Sequence, residues 1–414
     1  MSSQQVITCA KFFITTRPAK QHLPVALTIK QLSMDFENLK YWIALKSITG
    51  VGNVTFPALV DKFVSLSAIF TTPALELATT PGISKKTAAA IACFKGWDKI
   101  KRELDRTIKA GIRIITYQDE LYPAKLHDIY DRPALIYVKG NLTKDEINIA
   151  MVGSRLASTY GKYTTERISR ELAIKGITIV SGLARGIDAA AHRGALTAQG
   201  RTIAVMGSGL DVIYPPENKK LFAEIVQRGA VISEYQLGTP PLANNFPARN
   251  RIISGMSYGV VVVEAGEKSG SLITARLALE QGREVFAVPG SIDSAGARGT
   301  NKLIKQGAKL IENIDDILEE ILPQIEKTAP LAVSSAESSV VIPPPITAKL
   351  SAMEQIIIDL ISTNNLHIDE IIAATALSPA VALSSLLSLE LKEIIQQHPG
   401  KFFSRKNHGH EPNS

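Results

Sequence analysis

Through the middle of the chain, short apolar runs alternate with stretches in which apolar residues recur at helical spacing. Each run has the length of a buried strand. Alternation of this kind predicts a parallel sheet with helices on both faces, which is a Rossmann-like α/β core over residues 111–322. The predicted strands are 147–152, 177–180, 202–206, 230–232, 259–263, 284–288 and 309–311, and a turn with a short strand within 132–140 leads into them.

Before this core, residues 34–110 predict an α-helical domain of short helices. Two of its turns share a shape, Thr49-Gly50-Val51-Gly52 and Thr80-Pro81-Gly82-Ile83-Ser84, and each precedes a predicted helix. The arrangement resembles the helix-hairpin-helix or SAM-like pattern. A glycine turn that opens a helix exposes backbone N–H groups at the positive end of the helix dipole, which suits a phosphate. Tight turns alone would also explain the glycines, so DNA contact by this domain stays open.

After the core, residues 323–346 are rich in Ala, Ser and Pro and predict a linker. Three helical patterns followed by a hairpin pattern then predict a winged-helix-like domain over 347–406, with a tail over 407–414. The predicted helices are 351–362, 366–374 and 378–392, and the predicted hairpin strands are 394–397 and 401–405.

The third of these helices, 378–392, would be the recognition helix of the winged module. It consists mostly of Ala, Ser and Leu, and Lys392 is its only basic residue. Base readout favours Arg, Lys, Asn or Gln, so a protein contact or a dimer role is the better interpretation. A basic wing with Lys401, Arg405 and Lys406 leaves DNA contact open.

The N-terminal residues 1–33 contain no Asp or Glu and lack a periodic pattern, which predicts a disordered tail. Lys11 and Arg17 interrupt its apolar residues, which argues against a secretory signal. Translation beginning at Met34 is an alternative. No apolar run approaches the ~18 residues of a membrane span. Cys9 and Cys93 are the only cysteines, which excludes a disulfide scaffold and fits a reducing compartment, the cytoplasm.

The distribution of charged residues along the chain is uneven. The chain has 46 Lys and Arg against 39 Asp and Glu, a net charge of +7. Residues 141–311 hold 21 of the basic and 14 of the acidic residues, so the whole excess lies in the predicted core. A basic excess confined to one domain suits a polyanion such as nucleic acid.

Glycine-rich loops follow three successive predicted strands of the core. Because the carboxyl ends of parallel strands meet at one edge of a sheet, these loops predict a phosphate-binding crevice. Arg155 would add bidentate phosphate contacts. The candidate residues are Gly153, Ser154 and Arg155 after the first strand, Ser181, Gly182, Arg185 and Gly186 after the second, and Gly207 and Gly209 after the third.

Two further segments complete the candidate site. Phe246, Arg249 and Arg251 lie together near the start of a predicted helix, where an aromatic ring can stack on an unpaired base and arginines can pair with phosphates. Pro247 predicts an extended backbone at Phe246. The alternative is a buried phenylalanine with two surface arginines. Ser269-Gly270-Ser271 opens a later helix and would add an N-terminus that favours anions.

Enzyme signatures are missing from the sequence, which has no Walker A lysine, no Gly-x-Ser-x-Gly elbow and no Cys-x-x-Cys. Asp188 and His192 are four residues apart, a spacing that suits acid–base catalysis or a metal. No nucleophile or second ligand cluster completes such a site, so we expect Asp188 to cap a helix and His192 to be packed. The sequence thus predicts a binding protein without catalytic residues, metal or cofactor.

Together these motifs resemble the DNA-processing protein A (Smf) family. The resemblance extends over roughly residues 36–402 and is most specific at 122–311. It implies an extended Rossmann-like core that binds single-stranded DNA, with a SAM-like N-terminal and a winged-helix-like C-terminal domain. It rests on Gly153-Ser154-Arg155, the segments SGLARGID at 181–188 and FPARNR at 246–251, Ala191-His192, Ser269-Gly270-Ser271 with Thr274-Ala275, and Pro289-Gly290.

The resemblance also implies a role in natural transformation. Family members protect incoming single strands, help to load the RecA recombinase on DNA coated by single-strand-binding protein, and form homodimers through the core. Whether the host is naturally competent is not encoded in the sequence.

By residue, the resemblance implies that Arg155 is the main phosphate clamp and that Phe246 stacks on a base. Arg249 and Arg251 would hold the strand or the loop around it. Some members carry a lysine three residues before the matching phenylalanine, where this chain has Ala243. Part of the contact energy must then come from elsewhere, or the affinity is lower.

The alternative from a different class is a nucleotide hydrolase of the lysine-decarboxylase-like type, which shares a Rossmann core with glycine-rich loops. Such an enzyme needs a Pro-Gly-Gly-x-Gly-Thr motif with a catalytic glutamate, and this chain lacks the motif. Glu264 and Glu280 are the best substitutes for the glutamate. A purely structural docking protein is a third reading, against which the basic loops argue.

Overall fold

A computed structural model describes residues 29–144, 146–328, 352–361, 366–375, 394–398 and 402–405, with isolated positions between 382 and 390. The chain forms two compact units, Met1–Pro330 and Leu331–Ser414. The first unit contains a helical N-terminal region and a large sheet with helices on both faces. The second contains the winged module.

The helical N-terminal region is built around the two glycine turns. Gly50 and Gly82 both have a positive φ, +94° and +79°. A Cβ at Gly50 would lie 2.3 Å from Thr87 Oγ1, and one at Gly82 would lie 2.7 Å from Thr55 Cγ2. Each turn therefore packs against the start of the helix that follows the other turn. The helices are α1 (Ile29–Ser47), α2 (Thr55–Lys62), α3 (Leu66–Thr71), α4 (Ala74–Leu77), α5 (Lys85–Ala92) and α6 (Trp97–Lys109).

Helix α1 corrects the predicted N-terminal boundary. It begins at Ile29, so the last five residues of the predicted tail, 29–33, are helical. The remainder of the predicted tail, residues 1–28, lies outside the described residues. Residues 29–33, which we predicted as part of an irregular tail, therefore form the start of a helix.

The core sheet confirms the predicted fold class. Seven strands run parallel in the order β6-β5-β4-β3-β7-β8-β9, and they are the seven strands predicted from the apolar runs. Central β3 pairs with β4 on one side and with β7 on the other. The strands are β3 (Asn148–Val152), β4 (Thr178–Ser181), β5 (Thr202–Met206), β6 (Ala230–Ser233), β7 (Gly259–Val262), β8 (Glu284–Ala287) and β9 (Lys309–Leu310).

Two antiparallel strands extend the sheet at one edge. β2 (Leu135–Gly140) pairs with β6, and β1 (Arg113–Thr116) pairs with β2. The sequence indicated β2 but not β1, because β1 has only four residues and begins with an exposed arginine. An edge strand is less buried than a central strand, so its sequence is less uniformly apolar. The residues of β1 accordingly range from exposed to buried.

Helices cover both faces of the sheet. On one face, α10 (Lys219–Arg228), α11 (Asn245–Gly255) and α12 (Ser271–Glu280) join a hydrophobic core that continues into α1 and α6. The predicted helical and core domains thus share one core. On the other face lie α8 (Thr159–Ile174), α9 (Ile187–Thr197) and α14 (Asp315–Thr328). The short α7 (Ala124–His127), a 3-10 helix at Pro216–Asn218 and α13 (Arg298–Lys305) complete the unit.

Helix α14 also revises the predicted linker. The helix continues to Thr328 with Pro323 inside it, although we placed the start of the linker at residue 323. Ile317 and Ile321 of this helix are fully buried against the sheet. Packing of this apolar stripe offsets the helix-breaking tendency of the proline. The rest of the predicted linker lies outside the described residues.

The second unit has the elements of a winged helix. It has its own hydrophobic core, formed by residues such as Ile357, Ile371 and Phe403. The predicted recognition helix 378–392 lies largely outside the described residues, as do Lys401 and Lys406 of the predicted wing. The described elements are α15 (Ala352–Ile361), β10 (Leu366–His367), α16 (Ile368–Thr375), β11 (Ile395–His398) and β12 (Phe402–Arg405), with the sheet order β10-β12-β11.

Candidate nucleic-acid interface

A groove of about 850 Å³ opens at the carboxyl ends of β3 and β7. The strand order reverses between these two neighbours, and open α/β sheets bind ligands at such a switch point. The loops at this edge are tied together by backbone bonds: Ser154 N–H donates to Glu264 O (2.7 Å) and Ile187 N–H donates to Ser154 O (3.1 Å). The groove is lined by candidates from several predicted segments: Gly153, Ser154, Arg155, Phe246, Arg249, Ser269, Gly270 and Ser271.

Phe246 and Arg155 face each other across this groove. The Arg155 guanidinium carbon lies 5.3 Å from the centre of the Phe246 ring, and Tyr214 contributes a second ring 5.8 Å away. Arg155 is exposed and Phe246 is half-buried. The half-buried phenyl ring lines the groove, and an aromatic ring in an open groove is what base stacking requires.

The backbone at Phe246 differs from the prediction. We expected an extended conformation because Pro247 follows, but Phe246 lies in the first turn of α11, which begins at Asn245. A proline in the first helical turn breaks no intrahelical hydrogen bond, since the N–H groups there have no partner within the helix. The first turn thereby holds the ring at the groove.

Arg249 is buried rather than on the surface, with 4% of its area exposed. Its Nη1 donates to Gly182 O (2.7 Å) and to Val205 O, so it joins the ends of β4 and β5 to α11. The guanidinium also lies 6.0 Å from the Phe246 ring centre. Burial lowers the pKa of Arg249 to about 10, while the nearby Asp188 carboxylate opposes that shift. We therefore interpret Arg249 as a residue that supports the wall of the groove through these hydrogen bonds.

Asp188 and His192 have structural partners. The Asp188 carboxylate accepts from the N–H groups of Gly182 (3.1 Å) and Ala184 (3.3 Å), so it holds the preceding loop rather than capping its own helix. Burial raises the pKa of Asp188, and the positive charge of Arg249 works against this. His192 is fully buried against Thr202 Oγ1 (Nδ1 to Oγ1 2.7 Å), as expected for a packed residue. Burial lowers its pKa to about 3.

Arg251 is not among the residues that line the groove, and it forms buried ion pairs, so its predicted contact with DNA stays a prediction. Its Nη2 lies 2.6 Å from Glu234 Oε2 and its Nε lies 3.0 Å from Asp131 Oδ2. Glu234 also accepts from Lys46 (3.1 Å) and Asn53 (2.8 Å) of the helical region. Arg249 and Arg251 are thus both buried, unlike the surface arginines of the alternative interpretation, because carboxylates and carbonyls distant in sequence surround them.

Glu234 is charged at the centre of this cluster. Burial by itself would raise the pKa of Glu234, but the positive charges of Lys46 and Arg251 outweigh burial. Hydrogen bonds from Asn53 and Lys46 add to their effect, and the pKa lies below its ordinary value. The cluster joins α1 to α11, the helix that carries Phe246.

The remaining predicted residues divide between the groove and the scaffold. Gly182 and Arg185 line a small adjoining cavity of about 40 Å³, and the exposed Arg185 pairs with Glu217. Gly207 leaves room for the phenyl ring, since a Cβ there would lie 3.1 Å from Phe246 Cδ1.

Other predicted residues serve the scaffold. Ser181 is buried and its Oγ donates to Met151 O (2.7 Å). Gly209 N–H donates to Thr239 O (2.9 Å) outside the groove. Gly186 precedes α9 with a φ of +72°. These three residues therefore shape the loops behind the groove.

Several groove residues were not among the candidates from the sequence, including Leu156, Tyr214, Asn250 and Lys268. Lys268 stands directly before Ser269-Gly270-Ser271, and this position is the signal that could have identified it. It brings a basic side chain to the groove, which the lining residue Ala243 does not. Tyr214 carried no comparable signal, because its approach to Phe246 depends on folding.

Among the described residues, no cluster of His, Cys, Asp and Glu could hold a metal ion. No helix in that part of the chain combines the length and apolar character that a membrane crossing needs.

Comparison with known proteins places this fold and groove in a family. The family model described as DNA recombination-mediator protein A matches residues 113–322, and the DprA winged helix domain matches residues 342–401. Protein Smf of Synechocystis is 34% identical over 395 residues, which cover 88% of this chain and 98% of that protein. DNA processing protein DprA of Bacillus subtilis is 42% identical over 279 residues, 66% of this chain and 94% of that protein.

A solved structure agrees with the sequence relatives. The X-ray structure of DNA processing protein A from Streptococcus pneumoniae is 37% identical with a TM-score of 0.59, and the match covers 68% of this chain and 97% of that one. The family model covers half of the chain, and the relatives align over most of their own length. This chain therefore belongs to the DNA recombination-mediator protein A family.

Proposed function

We propose that this protein binds single-stranded DNA in the groove at the carboxyl ends of β3 and β7, with little preference for base sequence. The observation that carries the proposal is the Phe246 ring, with the Arg155 guanidinium 5.3 Å from its centre at an open groove. A ring that receives a base and a neighbouring guanidinium that receives a phosphate are the two contacts that unpaired nucleic acid needs.

The stacking contact favours a single strand over a duplex. The bases of a duplex are stacked on one another and cannot leave to cover a phenyl ring without loss of pairing. Stacking and phosphate contacts do not read base edges, so they also explain the absence of sequence preference. Arg155 and Lys268 are the basic side chains that the groove offers to phosphates, and they lie beside the start of α12 at Gly270-Ser271.

The role in the cell follows from family membership. The protein would act in the cytoplasm in natural transformation, protecting incoming single strands and helping to load RecA on DNA coated by single-strand-binding protein. It would act as a homodimer through the core. Transformation frequency and RecA filament formation in a deletion strain, complemented with the wild type or with Arg155→Ala, test this role. Equal frequencies with and without the gene would contradict it.

A salt titration tests the binding itself. Each phosphate neutralised on a single strand contributes about −0.7 to the slope of log affinity against log salt. Fluorescence anisotropy with a labelled oligonucleotide should therefore show affinity falling steeply between low and physiological salt. Similar slopes on oligonucleotides of different sequence are expected. A titration that does not respond to salt would refute phosphate binding.

The geometry disfavours the nucleotide hydrolase. The Glu264 carboxylate accepts from Ser158 N–H and from Ser158 Oγ–H (2.6 Å) and so holds the start of α8. Glu280 is exposed and pairs with Arg276 one helical turn away. Neither is placed as a catalytic base at the groove. We therefore propose no catalytic activity, and incubation with nucleoside monophosphates should release no free base.

A further inference from the structure

Beside the groove, an exposed apolar strip continues along the start of α8. Leu156 is 91% exposed, Tyr160 is 58% exposed and Tyr163 is 68% exposed. Large apolar side chains at these levels of exposure, close together in one segment, mark an interaction surface more often than chance. We call Leu156, Tyr160 and Tyr163 the α8 strip.

The α8 strip is continuous with the groove. Leu156 is itself a lining residue and directly follows Arg155. Tyr160 and Tyr163 are three residues apart on α8, so their side chains share a helical face about 4.5 Å apart along the axis. Leu156 thus connects the groove to the first turn of α8, where Tyr160 lies four residues further along the chain.

The start of α8 is held rigidly at this position. Ser158 Oγ accepts from Gly161 N–H (3.0 Å), which caps the helix. The Ser158 N–H and hydroxyl donate to the carboxylate of Glu264, which follows β7. The tyrosines therefore stand on an element anchored to both strands of the groove, and little ordering of backbone is required when a ligand binds.

The charge of the surroundings suits a polyanion. The first turn of α8 carries no acidic residue, and the exposed Lys162 lies between the two tyrosines in sequence. The Glu264 carboxylate already occupies the positive end of the α8 dipole, so the attraction for a polyanion comes from the basic side chains. A protein partner would need only the apolar surface, whereas Arg155, Lys162 and exposed aromatic rings together match a nucleic acid backbone with its bases.

We propose that Tyr160 and Tyr163 form a second base-stacking subsite, which takes the single-stranded DNA as it leaves the groove. This inference rests on the proposed function, since the strip extends the groove. Phe246 would then hold one part of the strand and the α8 strip the next, so that the full site takes more nucleotides than the groove alone.

The test compares short and long oligonucleotides. Oligothymidylates of about 6 and about 20 nucleotides span the range of sites that single-strand binders use. The double variant Tyr160→Ala/Tyr163→Ala should bind the long strand about 10-fold to 100-fold more weakly than the wild type does, and the short strand nearly as well. Tyr160→Phe/Tyr163→Phe should bind like the wild type, because the rings are kept.

A matched control uses another exposed tyrosine. Tyr130 is 83% exposed and is not among the groove residues, so Tyr130→Ala should leave binding of both oligonucleotides unchanged. Unchanged long-strand affinity of the double variant would overturn the subsite. So would a change in its oligomeric state at unchanged affinity, which would assign the strip to a protein contact. Failure of the wild type to bind either oligonucleotide would refute the proposed function instead.

Discussion

At the scale of single residues, substitution of Phe246 distinguishes a role in DNA binding from a role in core packing. Stacking of a base on an aromatic ring contributes about 1–3 kcal/mol. Phe246→Ala should therefore weaken binding to a single strand by that amount and weaken residual duplex binding much less. Phe246→Tyr should keep most of the affinity. The salt slope should stay the same, because no charge is removed.

The control for Phe246 is thermal stability. Removal of a fully buried phenylalanine costs about 3–5 kcal/mol of folding free energy. Phe246 is only half-buried, so the melting temperature of Phe246→Ala should fall far less than such a loss implies. A large fall in melting temperature, or equal losses of affinity on both forms of DNA, would assign the ring to the scaffold.

Arg155 is the charged counterpart of Phe246. Loss of a hydrogen bond to a charged group typically costs about 1.5–3 kcal/mol, so Arg155→Ala should weaken binding by that amount on all sequences alike. The fold should be unaffected, because the side chain is exposed. Arg193→Ala removes the same charge from an exposed position of α9 and serves as the control. Equal anisotropy curves for the two variants would remove Arg155 from the site.

At the scale of elements, the Glu234 cluster fixes α11 to the helical region. Glu234→Ala leaves Arg251 buried without this carboxylate, and breaking a buried pair typically costs about 3–5 kcal/mol. The melting temperature should fall accordingly, and the affinity for DNA should fall with it, because α11 carries Phe246. Glu217→Ala breaks an exposed pair with Arg185 and should leave the melting temperature unchanged.

The pH dependence of this cluster has a definite sign. The pKa of Glu234 is lower in the folded protein than its ordinary value, since the charges of Lys46 and Arg251 outweigh burial. The stabilisation by Glu234 is thus present above about pH 4.3 and is lost as pH falls through the folded pKa. Denaturant titrations should show that the difference in free energy of unfolding between the wild type and Glu234→Gln becomes smaller at acid pH. A constant difference would contradict this.

At the scale of the whole molecule, the two units allow a truncation. A chain that ends after Thr328 keeps α14, whose Ile317 and Ile321 are buried in the first unit. It should fold and should bind single strands nearly as well as the full chain. The reason is that the groove is built entirely from residues of the first unit. If the folded truncated protein does not bind, the winged module is a DNA contact.

Prediction from the sequence succeeded best for the sheet. Buried parallel strands are continuous apolar runs, so the strands β3 to β9 could be predicted from such runs in the sequence. The same topology places successive strand ends at one edge, which is why Gly153, Arg155 and Ser269-Gly270-Ser271 meet at the groove as expected. The family motifs pointed to the same edge.

The surroundings of individual side chains could not be read in this way. The sequence suggested Arg249 and Arg251 as phosphate contacts, with exposed positions as the alternative. Arginine is usually exposed, yet each is buried beside acceptors far along the chain. The conformation of Phe246 was also missed, because a proline in the first helical turn reverses the usual preference of the preceding residue. Edge strand β1 escaped notice because its burial pattern is mixed.

The sequence by itself determined the order of elements, the fold class and the edge of the sheet where the groove lies. These depend on periodicity and on the geometry of parallel strands, which are properties of neighbouring residues. Only the tertiary structure decided which arginine faces the groove and which is buried, and which rings gather around Phe246. Those outcomes depend on contacts such as Arg251 with Glu234 and Tyr214 with Phe246, whose partners are brought together by folding.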